Sequence, residues 1–336
     1  MATEHPAPAH HRDLVVIGAG PAGLYSAYYA GFRGLSVAIV DSLTEIGGQI
    51  ATLFPEKAIF DVAGFPSTTG RDLVRRLQEQ ASSSDPLYLL GRTATRLIDN
   101  GGADLHILLN DGTAIAAKAV LVCAGVGRFE PRRLPVAEGW QGRGMEYFVT
   151  NTASYNGRDV IITGGGDSAV DWALHLEPVA KSVTLVHRRA RFRAHESSVG
   201  RLLNSTVHVR TNAQISDVFG SARIDSVAIT TTDGHTDRIP AQALVCALGF
   251  VADLGPLAEW GIEIQNRRIP VSPAMQTNVP RVFAAGDVSE YPGKVRLISV
   301  GFGEAAIAVN HIAAMIHPNS EVTPGHSSDL GAPIAA

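Results

Sequence analysis

Short apolar runs that end at glycine, each followed by a longer stretch with helix-like apolar spacing, recur along this chain. Leu14-Val15-Val16-Ile17 leads through a glycine-rich turn into Leu24 to Tyr29, and Val160-Ile161-Ile162-Thr163 leads through a second such turn into Val170 to Leu176. Runs of this kind predict buried strands, and the stretches after them predict helices. Another apolar run then follows in each case, Val37-Ala38-Ile39-Val40 in the first and Val183-Thr184-Leu185-Val186 in the second. Two β-α-β openings are therefore expected. After the first, Gly47-Gly48-Gln49 is read as the start of a loop rather than a helix, and Arg71 to Gln80 as a helix. Pro86 to Ala117 reads as short strands separated by Asn100-Gly101-Gly102 and Asp111-Gly112 turns, a small antiparallel insertion. Val120 to Ala124 reads as a strand returning to the first sheet and ends at Gly125-Val126-Gly127. After the second come hairpin-like runs from Val207 to Ile239, a closing strand from Leu244 to Leu248, a strand at Val282 to Asp287 and a helix from Gly303 to Ile316.

That order predicts an α/β protein with two Rossmann-like dinucleotide-binding domains, the second inserted into the first. The boundaries expected are 1–124 with 250–336 for the first domain and 125–249 for the second, with 1–12, polar and rich in His and Pro, as a disordered lead. At 336 residues the chain exceeds what a single core usually serves, which agrees with two domains. With 45% hydrophobic and 18% charged residues it has the composition of an ordered globular protein. The net charge of −4 selects no partner, and neither nucleic acid nor membrane is expected as one. No apolar stretch approaches the ~20 residues of a membrane span, and the N-terminus lacks the basic and apolar regions of a signal peptide, so a cytoplasmic protein is expected. Cys123 and Cys246 each end an apolar run and form no C-x-x-C pair, so they read as buried core thiols.

The two turns carry the chemistry. Gly18-Ala19-Gly20-Pro21-Ala22-Gly23 and Gly164-Gly165-Gly166-Asp167-Ser168-Ala169 lie between strand and helix, where a dinucleotide pyrophosphate can approach the backbone and face free N–H groups and the positive helix end. Pro21 suits the first helical position, where its missing N–H costs nothing. Asp41, 23 residues after Gly18, ends the next strand, where an acidic residue accepts from an adenosine ribose. In the second unit that place is taken by His187-Arg188-Arg189, with Arg193 close behind. Guanidinium forks match a 2′-phosphate, so NADPH is expected over NADH, a solvated basic turn being the alternative.

This arrangement resembles the two-dinucleotide flavoproteins to which thioredoxin reductases belong, over about Asp13 to Ser328. More specific strings are similar to the thioredoxin-reductase-like ferredoxin–NADP⁺ reductases of bacteria. They are Gly47-Gly48-Gln49, Phe54-Pro55-Glu56-Lys57, Asp61-Val62-Ala63-Gly64-Phe65-Pro66, Gly164 to Trp172, Phe192-Arg193-Ala194-His195-Glu196 and Gly301-Phe302-Gly303-Glu304-Ala305. Where thioredoxin reductases carry their active disulfide, this chain has Gly166-Asp167-Ser168-Ala169-Val170-Asp171-Trp172, without cysteine. A relay through that disulfide is excluded.

The resemblance implies FAD at Gly18, Gly20, Pro21, Ala22, Gly23, Asp41, Gly48, Gln49, Ala94, Phe129, Asp287 and Ser328. It implies NADPH at Gly164, Gly166, Asp167, Ser168, Ala169, His187, Arg188, Arg189 and Arg193. Phe54 and His326 are the candidates to stack on the flavin, with core packing as the other reading of Phe54 and a solvated tail as the other reading of His326-Ser327-Ser328. No metal and no side-chain acid or base is required. The activity implied is hydride transfer from NADPH to FAD and one-electron transfer onward to ferredoxin or flavodoxin, in a homodimer. The alternative is a flavoprotein that reduces a diffusible quinone, flavin or pathway metabolite.

Overall fold

The computed structural model of the chain describes residues 7–325. Two compact units emerge, one of Met1–Ala51, Lys57–Arg128 and Ala252–Ala336, the other of Thr52–Glu56 and Phe129–Val251.

In the first unit, Leu87–Leu90, Val37–Asp41, His10–Ile17, Ala114–Val122 and Val282–Ala284 lie side by side as parallel strands. Their apolar runs are continuous because both faces are covered. Leu14 and Val16 join one apolar cluster with Leu24, Ala27, Leu73, Leu77, Val309 and Ile312 from helices Pro21–Phe32, Gly70–Ser82 and Ile298–Ile316. Val15 and Ile17, one residue out of phase, join the other with Ile107, Leu257 and Trp260. Period-two alternation thus sends neighbouring side chains into different layers.

Four local expectations are corrected here. The nine-residue strand Ala114–Val122 is continuous, where the sequence suggested an insertion ending at Ala117 and a separate strand from Val120. Lys118 interrupts the apolar run because it alone in the strand is exposed, pairing with Asp13 at 2.7 Å. The first part of this strand pairs antiparallel with Leu105–Leu109, and its last part pairs parallel with Val282–Ala284. Leu87–Leu90 belongs to the parallel sheet beside Val37–Asp41, not to the antiparallel insertion, which comprises Ala94–Asp99, Leu105–Leu109 and that first part. Strand His10–Ile17 starts inside the lead expected to be disordered, with His10 to Arg12 paired to Ile115 to Ala117. Gly48–Leu53 forms a short helix rather than a loop.

Helix Ile298–Ile316 has the length and composition of a membrane span, contrary to the expectation that no such stretch exists. Its apolar side is nevertheless spent within the unit, where Ala305, Ala308, Val309, Ile312 and Ala313 are buried in the cluster that covers the sheet.

The second unit has the parallel order Met145–Glu146, Ala243–Ala247, Asp159–Gly164, Ser182–His187, His208–Thr211. Ile162, Leu185 and Val245 face helix Asp167–Leu176 through Val170, Ala173 and Leu176. Ile161, Val186 and Leu244 face the antiparallel strands Ala213–Gly220 and Ile224–Thr231, which Thr236–Pro240 extends, as the hairpin-like pattern suggested. Thr52–Glu56 is part of this unit: Phe54 packs against its core, and the Glu56 carboxylate accepts from the Thr152 hydroxyl at 3.0 Å.

Candidate functional site

The glycines of the first fingerprint fall into two kinds. At Gly18, φ is +113° and an added Cβ would stand 2.4 Å from the Cys123 carbonyl oxygen, while at Gly23 it would stand 1.9 Å from that of Gly18. Those positions are glycine because the protein's own backbone fills the space. Gly20 differs. Its φ of −74° and ψ of −176° suit any residue, and an added Cβ would meet nothing within 4 Å. It also occupies the N-cap of helix Pro21–Phe32, where a Ser or Asp would ordinarily cap the helix. A helix end without a side-chain cap, beside open space, is a cradle for an anionic group supplied from outside.

Around this cradle Gly47 donates to the Ala19 carbonyl at 2.8 Å, and an added Cβ at Gly48 would stand 3.1 Å from the Gly20 Cα. The Gln49 amide lies against Gly125, 3.1 Å from the place of a Cβ there. Asp41 accepts from the Ala19 amide at 2.6 Å and the Leu43 amide at 2.8 Å, one on each oxygen, so it tethers the glycine loop. Burial pushes its pKa up, and the two amide bonds oppose that rise. Each oxygen keeps one further lone-pair direction for a ribose hydroxyl. Ala94 is buried at the start of strand Ala94–Asp99.

Asp287 follows Gly286 in a single 3₁₀ turn at the end of strand Val282–Ala284, and accepts no hydrogen bond among the described residues. Gly286 has φ +81°, and its added Cβ would stand 3.2 Å from the Ala22 Cβ, so the turn is pressed onto the fingerprint helix. His326, Ser327 and Ser328 lie outside the described residues, as does the side chain of Phe129. Phe54 is partly buried and packs against the core of the second unit.

The second fingerprint shows the same division. Gly164 has φ +154° and would carry its Cβ 2.3 Å from the Ala247 carbonyl oxygen and 2.8 Å from the Ala169 Cβ, so both small residues serve close packing. Gly166, the N-cap of helix Asp167–Leu176, has φ −99° and ψ −178° and open space where a Cβ would stand. Asp167 is engaged within the protein, accepting from the His195 amide at 2.8 Å at the start of helix Glu196–Leu203. Ser168 stands in the first turn beside the open space.

His187 has a role the sequence did not reveal. Its imidazole fills the space that a side chain at Gly165 would need, stacks on Phe192 with centroids 5.1 Å apart, and places Nε2 3.1 Å from the Arg191 carbonyl. Burial is the main cause lowering its pKa, with Arg189, Arg193 and Arg188 adding to the effect, which keeps the ring neutral. The Arg193 amide donates to the Gly165 carbonyl at 2.7 Å. Loop 188–193 is thereby fastened to the glycine turn. Arg188, Arg189, Arg191 and Arg193 are exposed, and none pairs with a carboxylate among the described residues. Arg191, which the sequence reading did not single out, is exposed in the same loop and belongs to the same basic run.

Both thiols are free and buried, Cys123 with its sulfur 3.7 Å from the Ser26 hydroxyl, and burial pushes each pKa up to about 12. Neither can serve as a thiolate relay at neutral pH.

Residues 12–310 match the family model described as pyridine nucleotide-disulphide oxidoreductase. The chain is 58% identical over 320 residues to a protein named ferredoxin–NADP reductase from Nocardioides sp., with 94% of this chain and 97% of that one covered. It is 45% identical to another of that name from Thermus thermophilus, with 97% and 99% covered. Among solved structures, thioredoxin reductase from T. acidophilum superimposes with a TM-score of 0.77 at 26% identity, covering 91% of this chain and 99% of that one.

Proposed function

The chain belongs to the pyridine nucleotide-disulphide oxidoreductase family, and from that premise we propose that it is an FAD-dependent enzyme carrying electrons between NADPH and ferredoxin. One observation carries the choice of acceptor: two anion cradles coexist with two isolated, buried, protonated thiols. Electrons cannot leave through a dithiol, so they pass from the flavin to an external carrier. When bound, FAD supplies the conversion between a two-electron hydride donor and a one-electron acceptor.

The residues hold and aim the nucleotides. The open space at Gly20 and Asp287, which accepts no hydrogen bond among the described residues, fit the pyrophosphate and ribityl hydroxyls of FAD, with Asp41 and Gln49 beside them. Gly166 admits the pyrophosphate of NADPH, and Arg188, Arg189, Arg191 and Arg193 offer guanidinium donors to its 2′-phosphate. His187 acts as a brace that keeps the arginine loop against the glycine turn. Catalysis needs orientation and proximity, with no residue moving a proton.

The reading extends to flavodoxin as a second one-electron acceptor and to the cytoplasm, where a diffusible NADPH pool is found. It extends also to a homodimer. The Ala63 amide donates to Ser299 at 2.9 Å, joining two segments whose large apolar side chains, Phe60 on one and Val295 and Leu297 on the other, are exposed. A second copy of the chain would cover them. Sedimentation analysis should give twice the chain mass. A monomer at micromolar concentration would count against the dimer.

A yellow preparation with about one FAD per chain that oxidises NADPH only when a one-electron acceptor is present tests the enzyme reading. Failure to take up FAD would refute it.

A further inference from the structure

Helix Ile298–Ile316 carries a single carboxylate, Glu304, on its buried side, where it meets Lys294 in the interior. The two side chains are 3% and 1% exposed. A buried pair of this kind adds little stability over apolar residues of the same volume, because the desolvation of both charges offsets their attraction. Its geometry shows what it does hold. On one oxygen Glu304 accepts from the Gly286 amide at 2.8 Å and the Ser289 hydroxyl at 3.2 Å. On the other it accepts from the Tyr291 hydroxyl at 2.6 Å and from the Lys294 ammonium. Three committed donors and the shared Ser289 hydroxyl thus surround the two carboxylate oxygens. The single Ser289 proton is shared between the first of those oxygens and the Gly286 carbonyl at 2.8 Å, closing the turn on itself.

The turn so fixed is Gly286–Val288, which carries Asp287. It is packed from both sides, since an added Cβ at Gly286 would stand 3.2 Å from Ala22 and one at Gly301 would stand 3.4 Å from the Gly286 Cα. Resting on the FAD reading above, we propose that Glu304 and Lys294 are positioning residues for the flavin site, acting through Asp287. Lys294 and Tyr291 engage one carboxylate oxygen, the other oxygen holds the Gly286 amide, and that amide fixes the direction in which Asp287 meets the ribityl chain. Glutamine cannot take this place. Whichever way its amide turns, the NH2 faces either the Gly286 amide or the Lys294 ammonium, neither of which can accept.

The test is a double-mutant cycle on the full chain, with FAD release followed by recovery of free-flavin fluorescence on dilution. Glu304→Gln is expected to weaken FAD binding about tenfold or more, as is usual when buried donors lose a charged acceptor. Asp287→Asn should weaken it by itself, and the Glu304→Gln, Asp287→Asn double variant should bind about as weakly as the weaker single variant, because both act on one contact. Tyr291→Phe and Lys294→Met, which remove one donor each, should give smaller losses that also vanish in the Asp287→Asn background, and they carry the test if Glu304→Gln does not fold. Fully multiplicative losses, or wild-type FAD affinity in Glu304→Gln, would overturn the proposal. Wild-type protein that binds no FAD would overturn the enzyme reading instead.

Discussion

Replacing Gly20 by alanine separates folding from cofactor binding. Gly20 lies at φ −74° and ψ −176°, conformations open to alanine, and the new methyl meets nothing within 4 Å. The apo-chain is therefore expected to stay within about 1 kcal/mol of wild type, since alanine restricts the unfolded chain but is a poorer N-cap than glycine. The methyl would instead occupy the space through which a pyrophosphate reaches the helix end. Losing one charge-assisted contact there costs about 1.5–3 kcal/mol, so the FAD dissociation constant should rise about 10- to 100-fold. Gly18→Ala provides the contrast. With φ +113° and 2.4 Å to the Cys123 carbonyl, it must displace backbone, and folded protein should be lost or its melting temperature much reduced. Thermal melts of the apo-chain and a flavin-fluorescence titration measure the two quantities. A Gly20→Ala chain with wild-type FAD affinity would refute the placing of the pyrophosphate, and one as unstable as Gly18→Ala would refute the division of the glycines.

Arg188→Ala and Arg191→Ala should each raise the KM for NADPH by about tenfold or more and leave that for NADH nearly unchanged, and equal effects on both would reject a 2′-phosphate site. Because the folded His187 pKa lies below its unfolded value of about 6.5, its contribution to stability is full above that pH and is lost as pH falls toward the folded pKa. The melting temperature should therefore drop more between neutral and mildly acidic pH in wild type than in His187→Gln, and matching pH profiles would exclude the brace. The Cys123→Ser, Cys246→Ser double variant should keep NADPH-dependent reduction of a one-electron acceptor, and turnover lost with FAD still bound would show that a thiol takes part.

What the sequence made legible follows from where backbone conformation and burial dominate. Gly18 and Gly164 announce the turns because no other residue tolerates them, and the doubled strand-turn-helix pattern carried the α/β class and both glycine turns. Finer errors came from single polar residues. Lys118, exposed in an otherwise buried strand, split one element into two, and the short run Leu87–Leu90 carried no sign that its neighbour would be parallel. Polarity also concealed roles. His187 was read as an NADPH contact because it adjoins the arginines, and its packing on Gly165 is revealed only by the tertiary contact. Asp41 was found at the right spacing, but its tether to the Ala19 amide was invisible. Glu304 did leave a signal, a charge alone in an apolar helix, where charged residues are seldom buried without a partner.

Electron delivery to ferredoxin tests the central claim most directly. The FAD-loaded full chain should be mixed without oxygen with NADPH and a purified bacterial ferredoxin, and the ferredoxin absorbance followed as its concentration is raised. Reduction that saturates with ferredoxin, and proceeds about tenfold or more faster with limiting NADPH than with NADH, is the expected result. Negligible ferredoxin reduction at every concentration, beside rapid NADPH oxidation by a small quinone, would contradict it and point to a diffusible acceptor.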